Sequence, residues 1–187
     1  MCEAENEKNK IRKEYILIRK NIKNKQEKSN QIFDKVITTA EYKDAKVIAI
    51  YKNISSEVDT TDLIKYSIAV GKIVVLPKAK ESVLEFYKLE SVNETFEKSK
   101  LGIEEPLGKK ENFIDNKNID LVIVPGICFD LEKNRLGFGK GYYDRLLKEK
   151  EFKSIGICFD EQIMERVPIN DNDMKVNMII TDKRYIL

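Results

Sequence analysis

Apolar residues in the first part of the chain recur at helical intervals. Ile11, Tyr15, Ile18 and Ile22 are spaced four, three and four positions apart, which predicts one amphipathic helix over residues 6–28 with Lys and Arg on its other faces. Ser29-Asn30 then offers a cap before a second periodic segment, Ile32, Phe33, Val36, Ile37 and Ala40. Beyond it the period shortens. Val47-Ile48-Ala49-Ile50-Tyr51 is a β-rich apolar run followed by a loop over 52–59. Thr60 or Thr61 is expected to cap a helix reaching about residue 70, with Gly71 ending it. Ile73-Val74-Val75-Leu76 reads as a second buried strand stopped by Pro77, and residues 84–89 as a less central third.

Residues 90–118 are polar and hold Gly102, Pro106 and Gly108, which predicts mainly loop with a short helix. Asp120-Leu121-Val122-Ile123-Val124 is the clearest strand, ended by Pro125-Gly126. A glycine-bearing loop follows, then a helix over 141–150 and strands over 154–158 and 178–181. Helices alternating with short, continuously apolar strands indicate a parallel sheet covered on both faces. The expected fold class is α/β: a single three-layer α/β/α domain over residues 1–187 with a mainly parallel central sheet.

Composition adds constraints. The chain has 187 residues, 42% hydrophobic and 35% charged, which suits one globular domain. With 34 basic and 32 acidic residues the net charge is +2, so no general affinity for nucleic acid or membranes is expected and any basic site must be local. Three widely spaced cysteines, Cys2, Cys128 and Cys158, argue against a disulfide framework, and the last two end apolar runs as small buried hydrophobes do. The polar start of the chain lacks an apolar signal core, and its apolar runs fall short of the ~20 residues that span a bilayer, so a soluble, cytoplasmic protein is expected. A monomer is the expected state, although no feature of the sequence fixes it. Histidine is absent altogether. Ser-His-Asp and Cys-His nucleophiles and His-ligated zinc are thereby excluded within this chain, leaving carboxylates, Lys, Arg, Tyr, backbone amides or a bound ion to do chemistry.

The segment Arg135-Leu136-Gly137-Phe138-Gly139-Lys140-Gly141 holds three of the eight glycines within five positions. Glycine permits backbone N–H groups to converge on an anion, Arg135 and Lys140 add positive charge, and the following helix adds its dipole. This is not a Walker loop, because Gly141 follows Lys140 where Ser or Thr belongs, and it is not Gly-x-Gly-x-x-Gly. Tyr142-Tyr143-Asp144-Arg145 puts two aromatics and a carboxylate on the first helical turn, and Asp144 beside phosphate suits Mg²⁺. Taken alone, the same residues also fit a flexible turn with a dipole-favoured helix acid.

Pro125-Gly126-x-x-Phe129-Asp130 followed by Arg135-Leu136-Gly137-x-Gly139-Lys140-Gly141-Tyr142-Tyr143-Asp144 resembles the signature of the 5-formyltetrahydrofolate cyclo-ligase family. The likeness extends to Lys8-Asn9-Lys10-Ile11-Arg12, to Glu57-Val58-Asp59-Thr60 and to Gly102-Ile103-x-Glu105-Pro106. Near the C-terminus, Asn172-Asp173 resembles the Asn-Asp version of the motif in animal members, whereas many bacterial members have His-Asp; Asn177 replaces a common aspartate.

The resemblance implies ATP-dependent cyclisation of 5-formyltetrahydrofolate, with or without a polyglutamate tail, to 5,10-methenyltetrahydrofolate. It implies that Lys8, Arg12 and the run Arg135, Leu136, Gly137, Phe138, Gly139, Lys140, Gly141, Tyr142 and Tyr143 bind ATP. Arg135 and Lys140 would offset charge on the migrating phosphoryl group. Glu57, Lys52 and Tyr142 would contact the folate, and Asp144 with Asp173 would hold Mg²⁺. Two other readings of the loop are a sugar-phosphate isomerase and a non-enzymatic effector-binding domain. The first usually needs a proton-transfer base, and the second usually comes with a DNA-binding helix pair that this chain does not display.

Overall fold

The computed structural model describes residues 3–54, 56–92, 94–98, 104–149 and 152–187. Five α-helices are α1 (Glu3–Asn21), α2 (Lys25–Thr38), α3 (Ala40–Asp44), α4 (Thr61–Ala69) and α5 (Tyr142–Glu149). The strands are β1 (Val47–Ala49), β2 (Ile73–Lys80), β3 (Val83–Lys88), β4 (Phe96–Lys98), β5 (Glu104–Pro106), β6 (Phe113–Ile114), β7 (Leu121–Val124), β8 (Cys128–Asp130), β9 (Arg135–Leu136), β10 (Lys153–Ile157), β11 (Ile163–Met164), β12 (Met178–Ile180) and β13 (Tyr185–Ile186). Among the described residues no helix is long and apolar enough to cross a membrane.

An eight-stranded sheet runs in the order β13-β12-β10-β7-β1-β2-β3-β6. Its five central strands are parallel, and β13, β3 and β6 join antiparallel at the edges. Alternation along each strand sends side chains to opposite faces. Ile48, Leu121, Ile123 and Ile155 meet Ile32 and Val36 of α2, Tyr42 of α3 and Leu63 of α4 on one face. Ala49, Val122 and Val124 meet Leu146 and Leu147 of α5 on the other. The expected three-layer α/β/α arrangement with a mainly parallel sheet is what the chain forms.

Several local expectations give way. The single helix over 6–28 is two helices, because Asn24 sits at φ 56 and turns the chain before α2. Ser29 and Asn30 lie inside α2 and cap nothing; the buried Ser29 hydroxyl instead accepts from the Asp59 N–H at 3.0 Å. Thr60 occupies the N-cap of α4, yet its hydroxyl donates to Tyr51 O, and Asp59 Oδ1 accepts the Thr61 N–H. Pro77 does not stop β2 but pairs with Phe86. The Val75 carbonyl faces the β1 side, where it accepts from Ile50 just past the end of that strand. Two residues further on, the proline ring therefore faces a flank that β1 has already left, and no ladder donor is lost.

The polar stretch before β7 contains the β4–β5 ribbon, the edge strand β6 and two 3₁₀ turns, Lys110–Asn112 and Asn116–Asn118, where loop and one short helix were expected. A small sheet, β11-β8-β9, also stands between β7 and the glycine loop. Its apolar side, Cys128 and Leu136 with Val167, receives Ile11 and Tyr15 of α1. That contact fixes α1 beyond the carboxyl ends of the parallel strands, where open α/β sheets place ligands. Cys128 and Cys158 are free and buried as expected; burial pushes the Cys128 thiol up to about 12. Cys2, Gly102 and Ile103 lie outside the described residues.

Candidate active site

Helix α1 presents Lys8, Arg12, Tyr15 and Arg19 along one face, at spacings of four, three and four. Each cation meets a different part of the chain. The buried Lys8 ammonium pairs with Asp173 Oδ2, which also accepts from the Asn170 N–H at 2.7 Å. Arg12 Nε donates to the Gly137 carbonyl at 3.0 Å, and its Nη1 reaches Glu5 Oε1 and Asn9 Oδ1, both at 2.7 Å. Arg19 Nη1 donates to Glu57 Oε1 and to the Gly126 carbonyl, at 3.3 Å in each case.

The glycine loop lies directly beneath these cations. Gly139 has φ +86, and a Cβ there would stand 3.1 Å from the Arg12 guanidinium carbon, so both the turn and the close approach require glycine. Phe138 is exposed, and its ring centroid is 5.6 Å from the Arg19 guanidinium carbon. Lys140 is exposed, with its carbonyl accepting from Arg145 at 2.7 Å. Gly126, at the corner below, is equally constrained: a Cβ would come within 2.6 Å of Phe129 Cζ.

Arg135 is buried, and its Nη2 donates to Asp144 Oδ1 at 2.8 Å. The same oxygen accepts from the Met174 N–H at 3.2 Å, which brings Asp144 next to Asp173 although 29 positions separate them (173 − 144). The other oxygen of each aspartate has no protein partner among the described residues. No three His, Cys, Asp or Glu side chains converge among the described residues, so an ion here would draw most of its shell from water and phosphate. Two carboxylates, each with a free oxygen, fit the donor set of such a Mg²⁺ site.

The Arg135 guanidinium carbon lies 5.7 Å from the Tyr143 ring centroid. Burial pushes the Tyr143 phenol up, and the Glu57 charge adds to the effect. Tyr51, also buried, is shifted in the same direction by the same two causes. Glu57 itself is raised by burial, against the opposing pull of Arg19 and of the Ile54 N–H, which donates to Glu57 Oε2 at 3.1 Å.

The expected site residues therefore divide. Lys8, Arg12, Arg135, Gly137, Gly139, Asp144 and Asp173 come together around the loop, with Glu57 and Tyr143 on its inner side. Tyr142 turns outward, its hydroxyl donating to Glu81 O at 3.1 Å and its ring under Arg145. Lys52 is paired with Glu104 and sits 3.5 Å from the Phe96 ring centroid, on the β4–β5 ribbon. Arg19 was not among the expected residues. Its signal was available in the sequence: it continues the Lys8-Arg12 face about two turns further, between the apolar Ile18 and Ile22.

Asn177 and Asn172 serve local structure. Asn177 Oδ1 accepts from both the Ser154 N–H and hydroxyl, tying β12 to β10, and the Asn172 N–H closes a turn onto Asn170.

The model of the 5-formyltetrahydrofolate cyclo-ligase family matches residues 4–182. A probable 5-formyltetrahydrofolate cyclo-ligase of Schizosaccharomyces pombe is 34% identical over 174 residues, covering 84% of this chain and 85% of that protein. The mouse 5-formyltetrahydrofolate cyclo-ligase is 33% identical, covering 78% of each. The NMR structure of Aquifex aeolicus 5,10-methenyltetrahydrofolate synthetase superposes with a TM-score of 0.82 at 32% identity, over 95% of this chain and 91% of that one. With a family model matching nearly the whole chain and relatives above 30% identity, the chain belongs to the 5-formyltetrahydrofolate cyclo-ligase family.

Proposed function

We propose that this chain closes 5-formyltetrahydrofolate to 5,10-methenyltetrahydrofolate while converting ATP to ADP and phosphate, using the site assembled by α1, the glycine loop and the segment around Asp173. The observation that carries this reading is the meeting of Lys8, Arg12, Arg135 and the glycine loop at one place, with the buried Glu57 alongside.

The chemical difficulty is that the N5-formyl group is an amide, whose oxygen will not leave. Attack of that oxygen on the γ-phosphorus of ATP forms a new P–O bond and releases ADP. The exocyclic amine nitrogen N10 then attacks the activated carbon. A C–N bond forms, the C–O bond breaks to release phosphate, and the N10 proton is lost. Such transfer depends chiefly on positioning and on charge neutralisation, so a chain without histidine suffices.

In this reading Lys8, Arg12, Lys140 and Arg135 offset phosphate charge, and backbone N–H groups over 137–141 line the phosphates. Asp144 and Asp173 would hold Mg²⁺, which when bound neutralises charge on the phosphate oxygens. Glu57 accepts hydrogen bonds from the pterin, whose adjacent amino and ring N–H groups match a carboxylate. Tyr143, beside Arg135 and within reach of the Glu57 charge, would stand between the two substrates, and Lys52 would border the folate side.

The test is to mix the protein with ATP, Mg²⁺ and 5-formyltetrahydrofolate and to follow product absorbance. Folate-dependent ADP release with methenyltetrahydrofolate formation is expected. Folded protein at high concentration that yields neither would overturn the proposal.

A further inference from the structure

Arg19 is 1% exposed, yet the chemistry above makes no use of it. Burying a guanidinium is costly unless its charge and its donors are met. Here the charge is met by Glu57, while the Nε has no hydrogen-bond partner. The two hydrogen bonds of Nη1 join the Glu57 carboxylate to the backbone corner at Gly126. Phe138 lies over the same guanidinium from the glycine loop.

Glu57 is thus held from two sides, with Arg19 on Oε1 and the Ile54 N–H on Oε2. A carboxylate offers about four acceptor positions over its two oxygens, so each oxygen keeps capacity for a ligand donor. Tyr51 and Tyr143 stand close enough to feel the Glu57 charge, with Cys158 acting on Tyr51 and Arg135 on Tyr143. Among the described residues, the cation in direct contact with Glu57 is Arg19.

We propose that Arg19 is a positioning residue for the folate substrate: it fixes Glu57 against the Pro125-Gly126 corner with both oxygens open as acceptors for the paired N–H groups of the pterin. This rests on the reading of Glu57 as the pterin contact. Arg19 supplies what the buried site lacks. Burial alone favours the protonated acid, and a protonated carboxyl turns one acceptor into a donor facing the pterin's own donors. The planar guanidinium also fixes an orientation that a lysine ammonium, a point charge on a flexible stem, would leave loose.

The test is a double-mutant cycle with full kinetics on Arg19→Met, Glu57→Gln and the combined variant. Arg19→Met is expected to raise the KM for 5-formyltetrahydrofolate about tenfold, the KM for ATP changing by less than about twofold. That folate KM should fall as pH is raised, and the combined variant should be no worse than Glu57→Gln alone. An ATP KM that rises as much as the folate KM, or single effects that multiply in the combined variant, overturns the proposal. If Glu57→Gln leaves the folate KM unchanged, the reading of Glu57 has failed. If Glu57→Gln raises it and Arg19→Met does not, the role of Arg19 alone has failed. Should Arg19→Met not fold, Arg19→Lys replaces it. A folate KM between wild type and Glu57→Gln, with unchanged ATP KM, is then expected, and an unchanged folate KM or an equal rise in both overturns it.

Discussion

The Lys8 ammonium is paired with the Asp173 carboxylate, 165 positions later in the chain. Lys8 is almost fully buried and Asp173 only partly so. Replacing Asp173 by Asn leaves a buried charge opposite a neutral amide, a loss that costs roughly 3 kcal/mol where no water can enter. Solvent at Asp173 places the expected value near the lower end, about 2 kcal/mol, read from the urea midpoint. Adding Lys8→Met should recover part of it. A loss below about 0.5 kcal/mol would show that water already serves Lys8.

Lys140 offers the opposite case. Its side chain is exposed and makes no ion pair among the described residues, so Lys140→Ala should shift stability by no more than about 0.5 kcal/mol. If it meets the migrating phosphoryl group, kcat should fall on the order of a hundredfold, as when one preorganised donor is lost from a transition state. Steady-state kinetics beside thermal melts separate the two quantities.

Gly139→Ala tests the loop's backbone. At φ +86 a Cβ adds strain of about 1 kcal/mol and presses on the Arg12 guanidinium. The expected result is a modest loss of stability with an ATP KM raised on the order of tenfold. An ATP KM equal to that of the wild type would remove the loop from the nucleotide site.

Asp160, near the end of the sheet, sets a pH dependence away from the site. Burial alone would raise its pKa, but hydrogen bonds from Arg184 and the Thr181 hydroxyl outweigh this and hold it below its ordinary 3.8. A lowered folded value means that the stabilisation is present above pH 3.8 and disappears as pH falls through that lower value. Asp160→Asn should therefore cost about 1 kcal/mol at neutral pH, given the half-exposed Arg184. Below the folded value it should cost much less. Urea midpoints across this range check the convergence of the two curves.

The central sheet was legible because β1, β7 and β12 are short, continuously apolar runs, β2 opens on one and β10 ends on one, as strands covered on both faces do. Local departures came from partners distant in the chain. Ser29 reads as a cap until Asp59 arrives to use its hydroxyl, and Pro77 reads as a strand end unless β1 is known to finish early. Asn24 gave a fairer warning, since asparagine tolerates the left-handed turn that splits α1 from α2. In the site, residues carried by motif were visible in the sequence. Arg19 shares the visible Lys8-Arg12 face, but its role depends on Glu57, 38 positions away, which the helical pattern does not show.

The attachment of α1 has a practical outcome. The helix rests on Ile11, Tyr15 and three cations, and it ends at Asn21, whereas α2 to α4 and α5 pack on the sheet without it. The 21–25 junction separates α1 from α2, and its rate of cutting in limited proteolysis should report occupancy. Nucleotide and folate, each gripped in this reading through α1, should slow cleavage separately and slow it most together. A helix cut free at that point and returned as a peptide should restore turnover to the remaining sheet.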